Sequence, residues 1–293
     1  MFGRLITAMA TPFKEDYSLD IKRACELAVK LIGDDSEGIL IAGTTGESPT
    51  LSHEEKLTLF RGIKGVVRDK TAVIAGTGNY NTKESIELTK EAEEIGVDGI
   101  LLVAPYYNKP SQDGLYAHFK AIAQSTKLPV ILYNIPSRTG VNILPNTVIR
   151  LAEDVKNIIG IKEASQSTDQ AVEILRGIKR DDFVVYSGDD SFTMPLMSVG
   201  GYGVISVASH IVGKKIKKML EDFVLSDVKS AIEINKELFP IFKALFVTTN
   251  PVPLKEAMKL IGFDIGPPRL PLVRAGEKEI NIIKEALKSL DLI

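Results

Sequence analysis

Short apolar runs alternate with longer stretches of helical periodicity along most of this chain. The runs are Leu5–Ala10, Gly38–Ile41, Ala72–Gly76, Gly99–Val103, Pro129–Asn134, Ile158–Lys162, Phe183–Ser187 and Gly203–Val207. Brief, continuous runs of this kind are the form taken by strands buried on both faces. Between them, helical patterns cover Asp20–Ile32, Ser52–Val67, Thr82–Ile95, Gly114–Ser125, Pro145–Ala152, Thr168–Lys179 and Phe192–Val199. Ser52-His53-Glu54-Glu55 has the form of a capping box, Thr82 is placed to N-cap the third helix, and Gly96 follows Ile95 as a C-cap glycine would. Strict alternation of strand and helix predicts a parallel sheet covered by helices. Eight repeats predict an α/β fold closed as a (β/α)8 TIM barrel. No linker or low-complexity break interrupts the series.

After Val207 the pattern becomes helix upon helix. Gly213–Val224 completes an eighth unit, and Asp227–Leu245, Pro253–Ile261 and Glu277–Leu290 form an added helical tail. Gly266-Pro267-Pro268-Arg269-Leu270-Pro271 is too rich in proline for a helix and reads as an extended connector. The expected division is therefore a catalytic barrel over 1–224 and a C-terminal helical extension over 225–293, the latter assigned to packing or assembly.

Composition narrows the class without choosing a function. Apolar residues make up 44% and charged ones 25% of 293 residues, and 36 Lys+Arg against 38 Asp+Glu leave a net charge of -2, so no nucleic-acid partner is indicated. Cys25 is the single cysteine and lies among Ala24, Leu27 and Ala28, which rules out an intrachain disulfide and predicts a buried spectator. No run approaches a membrane span, and the start, Met1-Phe2-Gly3-Arg4-Leu5-Ile6-Thr7, has no long apolar region with a cleavage site. A soluble cytoplasmic protein with no membrane partner is expected.

A barrel of this kind carries its active site where the strands end. Gly43-Thr44-Thr45-Gly46-Glu47-Ser48 follows the second run, and Pro105-Tyr106-Tyr107-Asn108 follows the fourth. The fifth ends in Tyr133-Asn134 and leads into Pro136-Ser137-Arg138-Thr139-Gly140, the sixth ends in Lys162, and Gly188-Asp189-Asp190 follows the seventh. Each has an ordinary reading beside the chemical one. Lys162 could snorkel to water or pair with a carboxylate. Gly43–Gly46 could be a tight turn with glycines at positive φ and threonine caps, or a cradle of N–H groups and hydroxyls for a small carboxylate at a helix entrance. It is not a Walker loop, since no Lys-Ser or Lys-Thr follows. Tyr106 and Tyr107 could be packing aromatics. Arg138, in a loop, could be a surface residue or a bidentate grip on a carboxylate. Gly200-Gly201-Tyr202-Gly203 reads as a turn into the eighth strand.

The chemistry that would use Lys162 is nucleophilic. A neutral amine attacks a ketone to form a Schiff base, which turns the adjacent carbon into an enamine nucleophile. At an ordinary lysine pKa only about one molecule in 2,500 is neutral at pH 7, so burial among Ile and Val is needed to depress it. Gly160 shares the lysine's face of the strand and could leave room for substrate. Proton transfer to the departing oxygen falls to Tyr133, because His53, His118 and His210 all lie away from strand ends. A hydroxyl chain through Thr44 to Tyr107 would pass the proton onward.

Taken together, Gly43-Thr44-Thr45-Gly46-Glu47-Ser48, Pro105-Tyr106-Tyr107-Asn108, Tyr133 to Gly140, Gly160-Ile161-Lys162-Glu163, Ser187 to Asp190 and Gly203 to Val207 resemble the dihydrodipicolinate synthase family. That family belongs to the pyruvate-dependent class I aldolases, which also include sialic-acid lyases, and the similarity runs nearly end to end. The resemblance implies condensation of pyruvate with L-aspartate 4-semialdehyde to 4-hydroxy-tetrahydrodipicolinate, in lysine and diaminopimelate biosynthesis. It implies Lys162 as the Schiff-base residue, Tyr133 as proton donor, and a relay of Thr44 with Tyr107, the tyrosine reaching a neighbouring subunit. Thr45, Gly188 and the backbone at Ile205 would hold pyruvate, and Arg138 the semialdehyde carboxylate. No metal or organic cofactor is implied, and a homotetramer of tight dimers is.

The chain departs from the family pattern in places. Ser48, His53, Glu84 and Tyr106 match a regulatory lysine site, but Lys56 and Tyr80 stand where sensitive members carry His and Asn, which predicts weak or absent inhibition. Thr248 stands where related sequences often carry Glu. The alternatives are a sialic-acid or sugar-acid lyase of the same family, against which Arg138 argues, and a barrel that binds a keto acid without turnover.

Overall fold

Eight parallel strands hydrogen-bond in sequence order into a closed barrel in this computed structural model, which describes residues 2–293. The first half of the chain runs β1 (Leu5–Ala8), α1 (Ile21–Gly33), β2 (Gly38–Ile41), α2 (His53–Val67), β3 (Ala72–Gly76), α3 (Thr82–Ile95), β4 (Gly99–Val103) and α4 (Gln112–Ala123). It continues through β5 (Val130–Asn134), α5 (Pro136–Thr139), α6 (Pro145–Asp154), β6 (Ile158–Glu163), α7 (Thr168–Gly177), β7 (Val184–Ser187), α8 (Thr193–Ser198) and β8 (Gly203–Ser206). Four further helices end the chain: α9 (Ser209–Val224), α10 (Val228–Ala244), α11 (Val252–Leu260) and α12 (Glu277–Lys288). The predicted strands and helices are all present, most within two residues of their expected ends. No helix among the described residues is long and apolar enough to cross a membrane.

Two compact units divide the chain. One comprises residues 2–4 with Ala72–Ile205. Its strands pair parallel from β3 to β8, with Leu102 opposite Leu132, Tyr133 opposite Lys162 and Lys162 opposite Tyr186. Side chains such as Ile100, Leu102, Ile131, Leu132 and Ile161 are fully buried and supply its apolar core. The other unit comprises Leu5–Thr71 with Ser206–Ile293. There β1 pairs with β2, and the Thr7 hydroxyl bonds those of Ser36 and Ser209 at 2.5 and 2.7 Å. His210 is a pin in the same unit: Nε2 accepts from the Ala10 N–H at 3.1 Å and Nδ1 faces the Val207 carbonyl at 2.8 Å. Burial lowers its pKa to about 4, so it serves as a neutral hydrogen-bonding group.

Local chemistry sets the element ends. Ser52 and Glu55 form the expected reciprocal capping box, and Gly96 closes α3 at φ 88. Thr82 is not the N-cap of α3. Asn81 is, its carbonyl oxygen accepting from the N–H groups of Lys83 and Glu84, while the Thr82 hydroxyl bonds His118 Nδ1 at 2.9 Å. Asn is a stronger cap than Thr and sits one residue earlier, so it takes the position. Cys25 is half-buried and directs Sγ to the Gly62 carbonyl, with burial raising its pKa.

Candidate active site

Lys162 owes its position to an irregularity in the pairing of β5 with β6. Val130 lies opposite Ile158 but Ile131 lies opposite Gly160, so one extra residue bulges from β6 ahead of the reactive end. Beyond the bulge the register is regular, Tyr133 against Lys162 and Asn134 against Glu163. Alternation then gives the two pairs opposite faces. On one face Lys162 Nζ lies 4.3 Å from the centre of the Tyr133 ring, both side chains buried. On the other, Asn134 Nδ2 donates to both Glu163 carboxyl oxygens at 3.1 Å, and Gln170 Nε2 and the Ser165 N–H donate to the same group at 2.9 and 2.7 Å. Asn142 links the chain onward, accepting from Asn134 at 2.7 Å and donating to Gln170 Oε1 at 2.8 Å.

The charges around Lys162 oppose one another. Burial is the largest influence and lowers its pKa to about 8; Asp190 and Asp189 pull it up, and the Arg138 guanidinium pushes it down. At pH 7 about one amine in ten is therefore neutral, a few hundred times the fraction in an ordinary lysine. Gly188 clears the way for the stem, since a Cβ there would stand 3.3 Å from Lys162 Cε and 2.7 Å from Ala164 Cβ. Gly160, in contrast, leaves no room for a ligand: its Cβ would lie 2.6 Å from the Val184 carbonyl oxygen, so this glycine serves close strand packing.

Arg138 lies in the one-turn helix α5 and not in an irregular loop. Pro136 opens that turn and Gly140, at φ 71, closes it. Arg138 is exposed to solvent. Ile205 is buried within β8. Tyr106 is half-buried and meets Tyr80 edge-on, ring centres 5.1 Å apart. Tyr107 is the most exposed tyrosine among the described residues, at 91%, and its backbone is left-handed at φ 73, a conformation that Tyr17 shares at φ 64. Glu84, in the first turn of α3, accepts from Asn79 at 3.2 Å and Asn81 at 2.7 Å.

In the other unit, the Gly43–Ser48 loop follows β2. The glycines do not take positive φ as expected; Ala42 and Glu47 do, at φ 53 and 55. Gly46 is required by crowding, because a Cβ would lie 3.2 Å from the Met9 carbonyl oxygen and the Thr11 hydroxyl. The loop opens into the 3-10 turn Ser48–Thr50, and His53 begins α2 only after the Ser52 cap. Thr45 is buried, its hydroxyl accepting from Asn250 Nδ2 at 2.8 Å. Glu47 is buried too, 2.7 Å from Lys255 Nζ. Sequence reasoning missed Asn134, Glu163, Gln170 and Asn250. The adjacency of Asn134 to Tyr133 and of Glu163 to Lys162 was the available signal for the first two.

Comparison with known proteins gives a single family. The model of the dihydrodipicolinate synthetase family matches residues 1–290. The 4-hydroxy-tetrahydrodipicolinate synthase of Moorella thermoacetica is 57% identical over 292 residues, covering 100% of this chain and 99% of that one. Among solved structures, the lysine-bound synthase of Cyanidioschyzon merolae superposes with a TM-score of 0.98 at 46% identity, covering 100% and 99% of the two chains. The chloride-inhibited synthase of Acinetobacter baumannii, solved with pyruvate, superposes with a TM-score of 0.96 at 38% identity over 100% of each chain. By both sequence and fold, this chain belongs to the dihydrodipicolinate synthetase family.

Proposed function

We infer that this chain condenses pyruvate with L-aspartate 4-semialdehyde to 4-hydroxy-tetrahydrodipicolinate, a lyase-class, class I aldolase-type reaction that feeds lysine and diaminopimelate biosynthesis. The observation that carries the reading is a buried Lys162 amine, its pKa lowered to about 8, set in register against Tyr133 on the preceding strand. The neutral amine adds to the keto carbon of pyruvate, and loss of water leaves a protonated imine. A proton then departs from the methyl carbon, and the enamine attacks the aldehyde of the semialdehyde. The semialdehyde's own amine displaces Lys162 from the imine carbon, which closes the ring and frees the enzyme with one water lost overall.

Within this scheme Tyr133 donates the proton to the departing hydroxyl, and Thr44 with Tyr107 relays it. The exposure of Tyr107 supports its entry into a neighbouring subunit's site; a homotetramer of tight dimers, working in the cytoplasm, is proposed with it. Thr45, Gly188 and the backbone at Ile205 hold the pyruvate carboxylate and keto group. Arg138 grips the carboxylate of the semialdehyde, which its exposure at the end of β5 supports. The barrel over 1–224 carries the reaction, and the helical extension over 225–293 supports it.

Borohydride added with pyruvate tests the central step. Intact-mass analysis should show one reduced pyruvate on Lys162, and no mass increase would rule out the Schiff-base mechanism. Arg138→Ala, assayed at a pH above the titration of Lys162, should retain trapping while raising KM for the semialdehyde; unchanged kinetics would refute its role.

A further inference from the structure

The helical tail reaches Thr45 through the side-chain amide of Asn250. Asn250 lies between α10 and α11 and is 4% exposed; its Nδ2 donates to Thr45 Oγ1 at 2.8 Å. A threonine hydroxyl has one proton, so accepting from Asn250 leaves that proton to be donated elsewhere. The other end of the amide, Oδ1, is buried with no hydrogen-bond partner. A buried amide that leaves its acceptor unpaired is a poor device for stability, which directs attention to what its donor does.

The surroundings of the loop make that donor's direction meaningful. Glu47 holds the left-handed turn after Thr45, and its two carboxyl oxygens take Lys255 Nζ at 2.7 Å and the Arg269 N–H at 2.8 Å. Lys255 Nζ also donates to the Pro267 carbonyl at 2.8 Å, and the Thr11 hydroxyl donates to the Gly46 carbonyl at 2.7 Å. The backbone that follows Thr45 is thus tied down, and the freedom that matters at Thr45 is the rotation of its O–H.

We infer that Asn250 is a positioning residue for the keto acid: by donating to Thr45 Oγ1 it turns the threonine's own proton toward the bound carboxylate. This rests on the reading of Thr45 as a carboxylate donor. The tail beyond residue 225, read from the sequence as packing or assembly, then sets affinity for the first substrate.

The test titrates full-length Asn250→Ala, Asn250→Asp, Thr45→Val and the Asn250→Ala/Thr45→Val double variant with pyruvate. The half-saturating concentration for borohydride trapping is read by intact mass. Asn250→Ala should raise it about tenfold, the worth of one hydrogen bond to a charged group. Asn250→Asp keeps the shape but offers only acceptors, draws the Thr45 proton to itself and should raise it further, with KM for the semialdehyde unchanged in each variant. The double variant should be no worse than Thr45→Val. A purely structural role predicts the reverse order, Asp milder than Ala, with kcat lost and pyruvate saturation unmoved; that result overturns the inference, as do independent effects in the double variant. If Asn250→Ala does not fold, Asn250→Asp decides alone, an unchanged half-saturation overturning the inference. If Thr45→Val leaves half-saturation unchanged, the reading of Thr45 falls and the inference with it. A rise in Thr45→Val without one in either Asn250 variant overturns the role of Asn250 alone.

Discussion

Tyr133 and Lys162 face each other across the β5–β6 pair, with the lysine nitrogen 4.3 Å from the tyrosine ring centre. A ring at this distance attracts an ammonium, whereas burial disfavours one and is the largest cause of the lysine's lowered pKa. The amine is left close to its midpoint under mildly alkaline conditions.

The rate of pyruvate trapping on Lys162 should therefore rise about tenfold per pH unit at acid pH and level off above about pH 8. Asp190 raises this pKa, so Asp190→Asn should move the bend to lower pH. Arg138 lowers it, so Arg138→Ala should move the bend to higher pH. Rapid-quench trapping across a pH series reads all three, and shifts of the opposite sign would show that these charges do not act on the amine.

The same lysine is a cost to folding. Its pKa is below the unfolded value, so at acid and neutral pH both states carry the charge and the native state bears the full penalty. Between about pH 8 and the ordinary lysine value of 10.5 the unfolded chain holds more protons, and stability rises with pH. Lys162→Met should be more stable than the parent at pH 7, by up to ~3 kcal/mol. The gap should close as pH climbs through that window. Urea melts at several pH values measure it; a gap independent of pH would mean the stabilisation comes from packing alone.

Glu163 accepts from Asn134, Gln170 and the Ser165 N–H in a fully buried position. Glu163→Ala strands all three donors and should cost about 2–5 kcal/mol, a fall in Tm of about 5–15 °C. Glu163→Gln keeps one acceptor oxygen and should fall between the two. Calorimetry distinguishes the series, and an unchanged Tm in the alanine variant would show that the network does not hold the strand ends.

Gly160 separates two physical reasons for a glycine beside the reactive lysine. If the position made space for pyruvate, Gly160→Ala would fold normally and bind pyruvate weakly. The 2.6 Å approach of a Cβ to the Val184 carbonyl predicts instead a strained β6–β7 pair. A loss of ~1–3 kcal/mol in stability is expected, with trapping falling in proportion to the folded fraction. A stable variant with selectively weakened pyruvate binding would restore the first reason.

How far the sequence carries is visible in these same residues. Lys162 and Tyr133 are readable because each ends an apolar run, and the (β/α)8 order follows from counting the runs. The bulge that sets their register is not readable, since nothing in Asn157-Ile158-Ile159-Gly160 says which isoleucine is extra. Arg138 was expected in a loop because four residues are too few to show helical periodicity; Pro136 and Gly140 were the usable signs. Asn250 reaches Thr45 across 205 positions of sequence, a proximity that only the folded chain discloses.

The regulatory question turns on Lys56 and Tyr80. Ser48, His53, Glu84 and Tyr106 were expected, from the resemblance, to form a lysine site; in that reading a cation at Lys56 repels a ligand ammonium, a pair of unit charges ~4 Å apart in a partly solvated site being worth up to ~4 kcal/mol. Tyr80 packs edge-on to Tyr106, placing a ring where sensitive members carry an amide. The Glu84 carboxyl group is already engaged by Asn79 and Asn81. Free lysine should therefore leave the condensation rate unchanged at concentrations below the millimolar range, as measured by a coupled assay at saturating pyruvate. Lys56→His with Tyr80→Asn should confer inhibition, the histidine removing most of the charge near pH 8 and the asparagine restoring a hydrogen-bonding group. A micromolar inhibition constant in the unaltered protein would show that neither residue blocks the site.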